Sequence, residues 1–186
     1  MEGIEQRAER VLAAVPAWLW DGERLPVPIE DIADSCFGLL IRDMDDLGAA
    51  PGAPSLDGGQ SLSGLLLPSR GEIWVNADEA RQWPPRRRFT IGHELGHWCL
   101  HRASEEAIYC RPASIVAEEP SSATTPDPLP VPPAEEEANA FSAALLMPAR
   151  LVRAHYRRTG GDFAALCELF GASGAAMGRR LHAAIP

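Results

Sequence analysis

Residues 89–101 read FTIGHELGHWCLH, and within them His93-Glu94-Leu95-Gly96-His97 has the pattern H-E-x-x-H. On an α-helix, positions i and i+4 share a face one turn apart. His93 and His97 can therefore aim one ring nitrogen each at a single zinc ion. Glu94 lies beside that point without ligating it, where a general base must be to accept a proton from an attacking water. Gly96 leaves room on the helix for another backbone or for a substrate. The same five residues also describe two surface histidines and a glutamate, until a third ligand is found.

Three places can supply that ligand. A histidine six residues after His97 is absent, because position 103 is Ala. His101 shares the face of His97 but lies about 12 Å along the axis from His93, at 1.5 Å per residue. Zinc ligands sit about 2 Å from the ion, so His101 is left with a role behind the ligands, as a cap or in packing. The third place is a later helix, AEEEANAFSAALLM at 134–147. Glu135 and Asn139 are four apart on one face, so Glu135 can bind the metal while Asn139 orients a ligating histidine. Ser142, Ala143 and Leu146 continue that face toward the H-E-x-x-H helix. Glu136 is the rival ligand, and Glu137 is turned further away. A solvated acidic first turn, favoured by the helix dipole, is the plain alternative.

The rest of the chain fits one domain. Its 186 residues suffice for a real core, and 46% are hydrophobic. The formal net charge of -9 weighs against general binding to nucleic acid or anionic membranes. Every basic residue is Arg and none is Lys, which reads as genome composition rather than function. No apolar run approaches a membrane span, and the charged, amphipathic N-terminus lacks a signal-peptide core. The expected location is the cytoplasm. Cys36, Cys99, Cys110 and Cys167 form no C-x-x-C pair and read as small thiols in a reducing compartment.

Hydrophobic periodicity predicts helices over GIEQRAERVLAAV and PIEDIADSC, then a strand over FGLLIRDM. SGLLLPS and GEIWVNA predict two more strands around a turn at Pro68 to Gly71. DEARQWPPRRRF leads into the motif helix at about Phe89. Seven of the 17 prolines fall between Arg111 and Pro133, and the stretch 112–133 is expected to be a flexible, solvated loop. Pro148 opens another helix. DFAALCELF and SGAAMGRRLHAAI close the chain as two short helices joined through Gly171, with Ser173 a candidate N-cap. The expected fold class is α+β, with a small, mostly antiparallel sheet packed on helices. The expected domain is 1–150, with the C-terminal helices 151–186 packed on it.

RRRFTIGHELGHWCLH followed by EEEANAFSAALLMP resembles the ImmA/IrrE family of zinc metallopeptidases. Members show R-x-F-T-x-x-H-E-x-G-H and later E-x-E-A-N-x-F-A-A-x-L-L-M-P. Phe89, Thr90, the whole of HELGH, Glu135, Glu137, Ala138, Asn139, Phe141 and Leu145 to Pro148 match, as does Arg87 or Arg88. The resemblance implies a thermolysin-like zincin core. It implies zinc held by His93, His97 and Glu135, with Glu94 catalytic and Asn139 behind the ligands. It also implies a protein substrate, since members are linked to cleavage of helix-turn-helix repressors in stress responses or mobile elements. Ser142 replaces a usual Ala, a change expected to be trivial.

Other residues have open roles. Asn76, at the end of GEIWVNA, is a candidate substrate contact if that strand pairs with an extended peptide, or else a strand terminator. Tyr109, His155 and Tyr156 are candidates for stabilising an oxyanion, or packing residues. The last two helices resemble a helix-turn-helix with Arg179 and Arg180 on the later helix, but the acidic chain weighs against direct DNA binding. A non-catalytic interaction module that keeps the metal site is the other rival. Oligomeric state is not legible.

Overall fold

The glycine-and-proline punctuation of the sequence divides it as periodicity predicts. In the computed structural model, which describes residues 3–48, 62–101, 109–112 and 131–185, α1 (Ile4–Ala14) and α2 (Ile29–Phe37) come first. Gly38 then takes the left-handed conformation, φ 66°, which closes α2. The following strand β1 (Leu40–Met44) therefore starts three residues later than expected. β2 (Leu62–Leu67) and β3 (Glu72–Asn76) flank the turn at Pro68 to Gly71. A short helix α3 (Ala77–Gln82) follows, capped by Asn76.

The motif helix α4 runs Pro84–His101 rather than from Phe89. Proline is tolerated in a first turn, where its missing N–H costs nothing, so Pro84 and Pro85 start the helix rather than block it. β4 (Tyr109–Pro112) was not expected from the sequence. The helices α5 (Pro133–Leu146), α6 (Ala149–Thr159), α7 (Phe163–Phe170) and α8 (Gly174–Ala184) complete the order. Ser173 caps α8, accepting from the Ala176 N–H at 3.3 Å. The proline-rich stretch expected as a flexible loop lies almost wholly outside the described residues.

The chain is α+β. The sheet has the order β1-β3-β2-β4, with β1 parallel to β3 and both other pairings antiparallel. β3 is paired on both sides, so it cannot take an extended substrate as a new strand; among the described residues the edge strands are β1 and β4. Leu66, Ile73 and Val75 face the helices and join the main core. Leu62, Leu65, Leu67 and Trp74 pack with Leu47 on the other face. The main core continues through Leu151, Val152, Phe170 and Met177, so the C-terminal helices share it. Among the described residues, no helix is long and apolar enough to cross a membrane.

Two features position the site. Arg87 ties α4 to α2 and β1 through ion pairs with Glu30 and Asp43, and Arg88 donates to the Val27 carbonyl at 2.6 Å. Then α4 packs on α5 through small residues. A Cβ on Gly96 would lie 3.2 Å from both the Cα and the carbonyl oxygen of Ala138. So the room left by Gly96 is filled by backbone. A Cβ on Gly92 would lie 2.5 Å from Ser142 Oγ, which donates to the Phe89 carbonyl at 2.9 Å. Ser142 is fully buried and bonded, so its hydroxyl is a helix-helix tie rather than a trivial change. Gly96→Val is expected to destabilise the fold by about 1–3 kcal/mol through overpacking against backbone that cannot yield. Unfolding by denaturant checks this, and an unchanged midpoint and slope would contradict the close approach.

Candidate metal centre

The H-E-x-x-H spacing acts locally. One turn of α4 stacks His93 and His97, and both are fully buried. Their Nε2 atoms lie 3.0 Å apart. Glu135 reaches them from the first turn of α5, with Oε2 3.1 Å from His93 Nε2 and Oε1 3.1 Å from His97 Nε2. The three side chains form a group able to hold a metal ion. Tetrahedral ligands about 2.0–2.1 Å from zinc are about 3.3 Å from one another. The observed separations fit that arrangement.

The hydrogen bonds behind the rings fit it too. Asn139 Oδ1 lies 3.0 Å from His93 Nδ1. An amide oxygen only accepts, so Nδ1 carries the proton and Nε2 keeps its lone pair for the shared point. Two electron pairs and a carboxylate then converge on one small volume, an arrangement a cation relieves. With no cation at that point, Nε2–H groups of protonated His93 and His97 face Glu135 instead; burial pushes the carboxyl up, but their hydrogen bonds and charge outweigh it and hold the pKa down at about 2. With the pKa depressed, the ionised form persists as pH falls until about 2, so Glu135 is a ready anionic ligand at neutral pH.

Glu94 is also fully buried. Its carboxylate lies against β2, where Gly64 makes the approach possible. A Cβ there would meet Thr90 Cγ2 at 2.3 Å and Glu94 Oε1 at 3.0 Å. Gly64 was not singled out in the sequence, although a glycine inside a strand is a known sign of close approach.

The remaining candidates fall elsewhere. Glu136 is exposed and lines a cavity with Phe89, Asn139 and Arg179, away from the paired histidines. Asn76 accepts from the Asp78 and Glu79 N–H groups at 3.0 and 3.1 Å and donates to the Leu62 carbonyl at 3.2 Å. Its amide thus caps α3 and joins β3 to β2. His155 and Tyr156 lie on α6, the former edge-on to the Phe170 ring. The Tyr109 side chain lies outside the described residues. Cys36, Cys99 and Cys167 are free thiols. Burial pushes the Cys99 thiol up to about 12 against the opposing charge of Arg7, so it is a poor ligand and nucleophile.

Residues 56–182 match the model of the peptidase M78 family, described as the IrrE N-terminal-like domain. The chain belongs to this family. The His93, His97 and Glu135 group, the motif helix and α5 all fall inside the match, which brings a metallopeptidase-type fold with it. No curated protein matches the chain. A solved structure described as a Mycobacterium tuberculosis transcriptional regulator is similar, with a TM-score of 0.55 at 18% identity. The likeness covers 96% of this chain and 46% of that one, so this M78 chain spans about half the length of its structural neighbour. At that identity the likeness concerns the fold alone.

Proposed function

We propose that this M78 chain is a cytoplasmic zinc endopeptidase that cuts a regulatory protein, with a helix-turn-helix repressor as the expected substrate. The observation that carries the reading is the convergence of His93 Nε2, His97 Nε2 and the Glu135 carboxylate, each within 3.1 Å of the next. When bound, zinc supplies Lewis acidity toward a carbonyl and lowers the pKa of water. The chain's own residues do the rest. Glu94 accepts the proton of the attacking water and returns it to the leaving amine nitrogen. Asn139 keeps the His93 ring turned with Nε2 forward. β4, at the sheet edge next to β2, is the place for an extended peptide to add as a strand.

A DNA-reading role for α8 would rest on one exposed arginine, Arg179. Arg180, one of the two arginines on the later helix, is 6% exposed. It donates to the Met147 carbonyl and to both oxygens of Glu5. Bound in this way, it is unable to reach a groove. The expected partner is therefore a protein.

Incubating the purified chain with a helix-turn-helix repressor protein tests this function. Cleavage should stop with a chelator and return with added zinc. Cleavage indifferent to chelation would contradict a metal mechanism.

A further inference from the structure

Behind His97 stands a second pair that neither the motif nor the ligand set explains. His97 Nδ1 lies 3.1 Å from His101 Nδ1, and His101 Nε2 lies 2.9 Å from Glu137 Oε2. A carboxylate only accepts, so His101 Nε2 carries the proton and donates to Glu137. In the neutral ring, Nδ1 is then the acceptor. His97 Nδ1–H donates to it, and His97 Nε2 keeps its lone pair toward His93 and Glu135. The two rings stand with centroids 5.2 Å apart, one turn of α4 from each other. Glu137 comes from the same turn of α5 that supplies Glu135.

We propose that His101 and Glu137 are positioning residues for the metal, acting through His97 as Asn139 acts through His93. The proposal rests on the zinc reading above. On it, α5 supplies one ligand and anchors the orientation of both of the others, so its docking on α4 sets the metal affinity as a whole. His101 is too far along the axis to be a ligand, and the structure turns that distance to use: it reaches the far nitrogen of the ring in front of it. The His101 side chain is 16% exposed and that of Glu137 is 50% exposed. The imidazole therefore carries more of the effect than the carboxylate, which water can partly replace.

The test measures zinc dissociation constants of the full chain by chelator competition, with the visible spectrum of the cobalt-substituted chain as an independent signature. Removing such a partner costs roughly 10–100-fold in metal affinity. His101→Leu should lose that much and shift the cobalt spectrum, with the metal-free melting transition retained. His101→Asn should recover most of the loss, since its Oδ1 offers an acceptor where the ring offered Nδ1. Glu137→Ala, at an exposed position that tolerates truncation, should lose less than His101→Leu but measurably. If His101→Leu fails to fold, the Asn and Glu137 variants carry the comparison. Wild-type affinity in all variants, with zinc still lost in Glu135→Ala, would overturn the relay and leave the metal site standing. A wild-type chain that binds no zinc would overturn both.

Discussion

Glu135→Ala lowers zinc affinity by roughly 10²–10³-fold, while Glu136→Ala leaves it unchanged. The size follows from dividing the roughly 10–16 kcal/mol of a four-ligand zinc site among its ligands. The asymmetry follows from position. Glu135 oxygens lie 3.1 Å from the Nε2 atoms of His93 and His97, whereas the Glu136 side chain is exposed beside another cavity. One residue along a helix is a turn of about 100°, enough to exchange one face for another. Competition with a chromophoric chelator reads both variants on one scale. The reverse order would put the wrong face of α5 against α4.

The second large effect is on rate. Glu94→Gln retains the metal and slows peptide hydrolysis by about 10²–10⁴-fold, the usual span for loss of a positioned general base. Gln has nearly the shape of Glu, so it fits the same buried place against Gly64. It has no carboxylate to accept a proton. The kinetic comparison must use zinc-loaded protein of equal metal content. A variant that cleaves at the wild-type rate would remove Glu94 from the chemistry and leave the metal alone to account for it.

The grouping of His93, His97 and Glu135 was legible because its geometry is local. The i, i+4 rule places His93 over His97 wherever α4 packs, and the same rule joins Glu135 to Asn139. Asn76 reads in the sequence as a substrate contact or a strand terminator, whereas its side chain caps α3; Asn followed by Asp78 and Glu79 is an N-cap signature that points to this role. The elements that stayed hidden depend on non-local contact. β4 is short, and its pairing with β2 is visible only in the folded sheet. Glu137 appears turned away on a helical wheel, yet it reaches His101 because small residues let α5 approach α4. Ser142 reads as a trivial exchange in the sequence, yet its hydroxyl donates to the Phe89 carbonyl of the facing helix. The early start of α4 is hidden for another reason: a double proline suggests a break, although the first turn accepts it.

The most direct test is diffraction from zinc-loaded crystals at the zinc absorption edge. One anomalous peak per chain is expected, about 2 Å from His93 Nε2, His97 Nε2 and a Glu135 oxygen. A peak at other side chains, or none after zinc loading, would contradict it.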